Sequence, residues 1–412
     1  MLPPSVLRRF IPATLALLAA CAPTGPTLMG NPQAPYPLQS PPEVGEIVHL
    51  PTGTPVSMEQ MLSVAADAHI VYLGETHDNP ASHRLEVAVL QDLAARRPGR
   101  VALGMEMFSR AQQPVLDRWV AGELSEKEFL EQSRWFEQWS MDFDYYRDLL
   151  NFARDEHIPV IGLNAEKSLV RAVRAKVPAE LSTEEQAQLP EMDMTDPYQR
   201  ALVLAILGDH SHGGMDPEGF VRAQTLWDET MAESVARYLQ SPQGEDHQML
   251  VVAGGNHVRY GFGIPRRVFR RLPTSYVLLG GREINISQDK ESRLMDVEVP
   301  EFPMIPYDFL TYLNYEDLPH KPVRLGVMIE PARDAGGLTV MGVMPESDAA
   351  RAGLQKGDRL LAVDGEPLTV NFDLVYLVKQ KAPGDKVLLR VQRGEDELEV
   401  PVTFTAARGH GR

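Results

Sequence analysis

The chain has 412 residues, 43% of them hydrophobic and 24% charged, which is the length of two or three domains and an ordinary globular composition. Its formal net charge of −17 excludes nucleic acid as a principal partner, because phosphate binding needs a basic footprint. The single cysteine, Cys21, has no disulfide partner within the chain, so the fold rests on its core.

The first element is a leader. Arg8 and Arg9 precede an apolar run from Phe10 to Ala20, too short to span a bilayer and of signal-peptide length. The run ends Leu18-Ala19-Ala20-Cys21, which resembles a bacterial lipobox. The resemblance implies a lipoprotein signal peptide over 1–20 and a lipid on Cys21 as the membrane anchor. Ala22 then implies the outer membrane, with the protein facing the periplasm. Residues 21–45 are dense in Pro and Gly without apolar periodicity, and read as a flexible tether.

From 46 to 315, short branched runs alternate with helical patterns. Strands are expected at Ile70–Leu73, Val101–Leu103, Pro159–Leu163, Met249–Ala253 and Ser275–Leu279. Nearly uninterrupted apolar strands are buried on both faces. Helices are expected around Leu85/Val89/Leu93, around Leu169/Val173/Val177 and from Glu218 to Leu239, with largely helical insertions at 110–155 and 180–240. The fold class is therefore α/β, a mostly parallel sheet flanked by helices.

Polar groups follow these strands: Gly74-Glu75-x-His77 after the first, Glu106 after the second, Asn164 after the third, Gly254-x-x-His257 after the fourth. Ligands of open α/β sheets bind beyond the carboxyl ends of the strands, so these groups are expected in one cleft. Asn79 as N-cap and Pro80 at the first helical position start a helix beside His77. His83, on the first turn of that helix, is expected to be exposed. Two histidines and two carboxylates suit a divalent metal, with Glu75, His77 and His257 as ligands, or a general acid/base pair. In GDHSHGGMDPEGF, Asp209, His210, His212 and Asp216 read as an exposed Gly-rich loop rather than a metal site. Along the helix that follows, Trp227 and Met231, four apart, read as core.

Residues 322–405 have short alternating strands and two compact helical pieces. Arg324-Leu325-Gly326-Val327 and the run Ser347-x-Ala349-x-x-Ala352-Gly353-Leu354-x-x-Gly357-Asp358 through Val363-Asp364-Gly365 resemble a bacterial PDZ domain. The resemblance implies a peptide-binding loop at Leu325, Gly326 and Val327, and as partner a peptide or protein C-terminus added to a sheet edge.

The two G-x-x-H elements with a Glu between them are similar to the Tiki/TraB/erythromycin-esterase-like superfamily. VYLGETHDNPASH, ALGMEMF, FVRAQTLWDETMA and AGGNHVRYGFGIPRR are closer still to the ChaN family of haem-binding lipoproteins. This resemblance implies a haem as cofactor in iron uptake, ligation through a tyrosine, and a homodimer. The helix bearing FVRAQTLWDETMA resembles one that recurs in the family, which implies Gln224, Asp228 and Glu229 toward the cleft. Tyr260, with His257, Arg259 and His77 around it, is the first cofactor-binding candidate, and Tyr145 and Tyr146 come next. Arg266 and Arg267 join Arg259 as partners for the propionates. No C-x-x-C-H is present, so the haem is non-covalent. The alternative is a hydrolase with Glu75, His77, Glu106 and His257 as the catalytic set, with or without a divalent metal.

Overall fold

The computed structural model describes residues 36–406 apart from 39, 140, 211–215, 289, 292–298 and 333–335. The leader, Cys21 and His212 lie outside the described residues, as do the side chains of Asp209 and His210.

Six parallel strands form the centre of the first sheet: β3 (Ile70–Glu75), β4 (Val101–Ser109), β5 (Val160–Asn164), β6 (Gln248–Gly254), β7 (Tyr276–Ile284) and β8 (Phe309–Asn314). A short antiparallel hairpin, β1 (Ile47–His49) and β2 (Thr54–Val56), closes one edge on β8. The order is β2-β1-β8-β7-β3-β6-β4-β5. Alternation within each strand divides the core. Val71, Leu73, Leu103, Met105, Leu250 and Val252 pack on one face with helices Met58–Asp67 and Pro80–Arg96. Ile70, Tyr72, Ala102, Met249, Val251 and Ala253 pack on the other with helix Pro217–Leu239. A period of two with both faces buried is what a central parallel sheet requires.

The strands that the sequence marks lie where expected, each longer at its carboxyl end. The helix expected through Val177 is Lys167–Ala175, and Val177 is exposed beyond it. Three-residue β1 and β2 carry no usable periodicity. The insertion after β4 is helical and brings Trp119, Phe129, Trp135 and Phe143 into the core beside Phe108. No helix among the described residues is long and apolar enough to cross a membrane.

The second sheet comprises β9 (Val327–Pro331), β10 (Leu338–Val343), β11 (Arg359–Val363), β12 (Glu366–Pro367), β13 (Lys386–Arg393) and β14 (Asp396–Thr403). Its pairing is antiparallel throughout, with β9 at one edge. Asp364 and Gly365, both at positive φ, make the two-residue turn between β11 and β12. Helix Asn371–Lys379 turns Leu374 and Val378 into this core. Its other face meets the insertion of the first domain. Phe372 stacks on Phe136 with centroids 5.7 Å apart, Lys379 Nζ lies 3.3 Å from Asp142, and Lys127 Nζ lies 5.6 Å from the Tyr376 ring.

Candidate functional site

Glu75 is the last residue of β3, Glu106 lies in the second half of β4, and Gly254 ends β6. The short helix Gly255–Val258 that follows β6 carries His257. The structure thus brings Glu75, His77, Glu106 and His257 to one end of the sheet. Gly254 is the point of convergence. Its N–H donates to Glu106 Oε2 at 2.7 Å. A Cβ there would sit 2.8 Å from His77 Nε2 and 3.5 Å from Glu106 Oε2. Glycine is needed because two functional side chains occupy the space that its side chain would take. Asn164 steadies the strand by donating to the Glu106 carbonyl at 3.0 Å.

One half of the site is built on Glu75. Its Oε1 accepts from the Tyr146 hydroxyl at 2.8 Å and from His77 Nδ1. Its Oε2 is buried without a hydrogen-bond partner and lies 3.6 Å from His83 Nδ1. His83 is not exposed but 4% accessible, a correction. The first turn of its helix is covered by Tyr145 and Tyr146, whose rings lie 5.3 and 4.5 Å from the imidazole. Behind it sits Glu86, with no accessible surface and 3.1 Å from His83 Nδ1. Sequence reasoning missed Glu86. The signal was there: Glu86 shares a helical face with Ser82, Val89 and Leu93, all buried.

Burial and then the neighbouring Glu86 push Glu75 up to about 7. Burial pushes Glu86 up to about 8. Burial opposes charge on His77, but the Glu75 carboxylate, helped by Glu106 and Glu86, outweighs it and carries His77 up to about 9. Burial lowers His83 despite Glu75. His77 is therefore an imidazolium at neutral pH and His83 a neutral imidazole. The Trp139 ring stands edge-on to His77 with centroids 5.0 Å apart.

The other half is a chain of charge. His257 Nδ1 donates to Asp228 Oδ1 at 2.6 Å, and its Nε2 faces Glu106 Oε1 at 3.5 Å. Burial opposes protonation, but the two carboxylates raise His257 above its ordinary value. Gln199 donates to Asp228 Oδ2 at 2.7 Å and accepts from Arg267 at 2.7 Å, so the array is anchored on three helices. Asp228 faces His257, as the family resemblance implied. Glu229 points away, onto Arg267, Arg270 and Arg271 at 3.2, 3.3 and 2.7 Å.

Other expectations are corrected. The ligand atoms of Glu75, His77 and His257 do not gather within 4.8 Å of one another, so that metal set does not assemble; His257 gives Nδ1 to Asp228 and faces Glu106 with Nε2. Arg267 is 1% accessible and bound to Glu229 and Gln199, so it is not placed for a propionate. Arg266 pairs with Asp196 at 3.0 Å, and Tyr146 commits its hydroxyl to Glu75. Tyr260 has φ +61°. Its ring is 8% accessible and packs on Phe262 and Phe302, with Leu202 and Ile206 in the same cluster. Arg259 beside it is half-buried. Asp216 is the N-cap of helix Pro217–Leu239, accepting from Glu218 and Gly219.

In the second domain Gly326 has φ +82°, and a Cβ there would strike Ser347 Cβ at 2.3 Å. The Leu325 carbonyl accepts from Ala349 and the Gly326 carbonyl from Met344, both at 2.9 Å. These bonds fix the loop that leads into β9, the free edge to which a strand adds.

A polar cleft at the carboxyl ends of a parallel sheet, joined to a small antiparallel domain with an open edge strand, defines a ligand-binding α/β protein with a peptide-binding module. The family model described as haem-binding uptake, Tiki superfamily, ChaN matches residues 61–268, and a PDZ model matches 323–404. The chain belongs to the ChaN family and carries a PDZ domain. A solved ChaN of Campylobacter jejuni, described as binding haem cofacially, aligns at 16% identity with a TM-score of 0.50. That alignment covers 64% of this chain and 95% of the other, which establishes a shared fold. Among curated proteins, the regulator of sigma-E protease RseP of Escherichia coli (strain K12) is 36% identical over 87 residues, 21% of this chain and 18% of RseP. A probable periplasmic serine endoprotease, DegP-like, of Hahella chejuensis is 38% identical over 66 residues, 16% of this chain and 14% of its own length. The chain thus spans less than a fifth of the length of these two relatives.

Proposed function

We propose that the chain binds haem non-covalently in its ChaN-type domain, in haem or iron uptake. A lipid on Cys21 holds it at the periplasmic face of the outer membrane, and the PDZ domain takes a peptide or a protein C-terminus. The observation that supports this most is the family match across residues 61–268. The donor set fits a haem. His77 engages Nδ1 with Glu75 and sets Nε2 in the space that Gly254 leaves open, next to Glu106. As a ligand the imidazolium would give up its Nε2 proton, and the carboxylate on the far nitrogen would orient the ring and strengthen it as a donor. Tyr260 supplies a phenol and Arg259 a cation for a propionate, on one segment. Haem supplies a redox-active iron when bound. The chain's own residues orient it, and Trp139 shields His77 from water.

The test is a haemin titration of the full chain, following the Soret band. Saturation at one haem or fewer per chain is expected, with affinity lowered at least tenfold by Tyr260→Phe or His77→Ala. Absence of saturable binding, or two variants indistinguishable from wild type, defeats the reading.

A second reading rests on the Asp228–His257–Glu106 array, which a passive carrier has no evident need of. In it Glu75, His77, Glu106 and His257 act as acid and base in a hydrolysis. Ester or peptide hydrolysis by wild type that is lost in Glu106→Gln would favour it.

A further inference from the structure

His83 Nε2 lies 3.1 Å from the backbone carbonyl of His77. A carbonyl only accepts, so Nε2 carries the ring proton and the neutral imidazole presents a bare lone pair at Nδ1. That lone pair faces Glu86 Oε1 at 3.1 Å and Glu75 Oε2 at 3.6 Å. Both oxygens are buried without a hydrogen-bond partner, and both side chains have 0% accessible surface. Nδ1 also lies 3.2 Å from Glu86 Oε2, so without a cation one carboxyl proton bridges that pair, and Glu75 Oε2 and Glu86 Oε1 are the acceptors left over. Burying unpartnered acceptors is costly, and carboxylates cost most. A cation at their centre removes the conflict.

We propose that Glu75, His83 and Glu86 form a buried site for one divalent transition metal. One ligand atom from each residue lies within 4.8 Å of the other two. Tetrahedral bonds of roughly 2.1 Å put ligand atoms about 3.4 Å apart, and the contacts of 3.1 and 3.6 Å bracket that spacing. The surroundings are those of a finished site. A ligating histidine typically donates its other nitrogen to a carbonyl or carboxylate, as His83 does to His77. Glu75 directs Oε1 to Tyr146 and His77, which leaves Oε2 for the metal. One nitrogen and two carboxylate oxygens suit zinc, manganese or ferrous iron rather than calcium or magnesium. The site adjoins the cleft, shares Glu75 with it and touches it again where His83 donates to the His77 carbonyl. A metal would hold Glu75 ionised as the acceptor that orients His77.

The experiment uses the full chain, stripped with a chelator and dialysed against zinc or manganese chloride. Metal per chain is measured by elemental analysis and thermal stability by melting. One metal per chain is expected, with the melting temperature raised on loading. Glu86→Gln and His83→Gln should weaken binding at least tenfold, while Glu106→Gln should retain it. No stoichiometric metal at tenfold excess, with Glu86→Gln as stable as wild type, would mean that the pair shares a proton, and overturns the proposal. Metal kept in Glu86→Gln but lost in Glu106→Gln overturns it too, by placing the ion elsewhere. Circular dichroism on each variant separates loss of the site from loss of the fold. Metal content is read independently of the Soret band, so failure here and failure of the haem reading are distinguishable.

Discussion

Alanine at position 254 isolates the convergence of the cleft. Gly254 has φ −53° and ψ 140°, which alanine adopts freely, so the substitution adds no backbone strain. What it adds is a methyl group 2.8 Å from His77 Nε2 and 3.0 Å from Cε1. Carbon does not approach a ring atom so closely, and β6 cannot retreat because it pairs with β3 and β4 on its two sides. His77 must therefore turn away, stretching or breaking its bond to Glu75. A hydrogen bond between charged partners contributes about 1.5–3 kcal/mol, and losing it leaves Glu75 with less compensation. At about 2–4 °C per kcal/mol for a domain of this size, the melting temperature should fall by roughly 3–12 °C. The His77 pKa should drop from about 9 toward its ordinary value, because the ring has turned away from the carboxylate that raises it. Histidine-selective NMR titration reads this directly. A Gly254→Ala protein in which His77 still titrates near 9 and melting shifts by less than about 1 °C would refute the packing described here.

Asp228→Asn should shrink the upward His257 shift, since burial lowers this histidine and Glu106 alone then opposes it. A histidine raised in the folded state adds stability below its unfolded value of about 6.5, and that stability is lost as pH rises through the folded value. Urea unfolding of wild type should therefore weaken from pH 6 to pH 9, and the variant should show less of that slope. An unchanged slope would place the coupling elsewhere. Phe372→Ala removes the stack on Phe136. It should cost about 0.5–1.5 kcal/mol beyond lost area and separate the melting of the two domains. A single unshifted transition would show that the seam is not held by this pair.

Much of the site was legible before folding. Ile70–Leu73 and Met249–Ala253 lie side by side as central strands, and both end in G-x-x-H. Strand ends fix where those residues stand, so His77 and His257 needed only the fold class to be placed together. Their partners were harder. Glu86 sits on a helix face that it shares with Ser82, Val89 and Leu93, where a lone charged residue reads as a boundary fluctuation. Tyr146 comes from an insertion with no strand to locate it. His83 was misjudged because exposure of a first turn depends on what covers it, here Tyr145 and Tyr146, 62 and 63 positions downstream. Arg267 was read from its neighbours in sequence. Its side chain leaves the motif and joins Glu229, a contact that no local pattern encodes.

The helix Asn371–Lys379 is a wall with two tenants. One side closes the core behind β9, where a peptide would add as a strand, and the other leans on the segment bearing Trp139 and Tyr146. A peptide that tilts this helix works against the Phe136 stack, and through it against the residues that hold His77 and Glu75. A peptide that leaves the helix in place is invisible to the cleft. The exchange is symmetric: whatever factor a cleft ligand imposes on peptide affinity, the peptide imposes on the cleft ligand. Measuring either affinity in the presence of the other ligand therefore reports whether the two domains are one machine or two proteins sharing a chain.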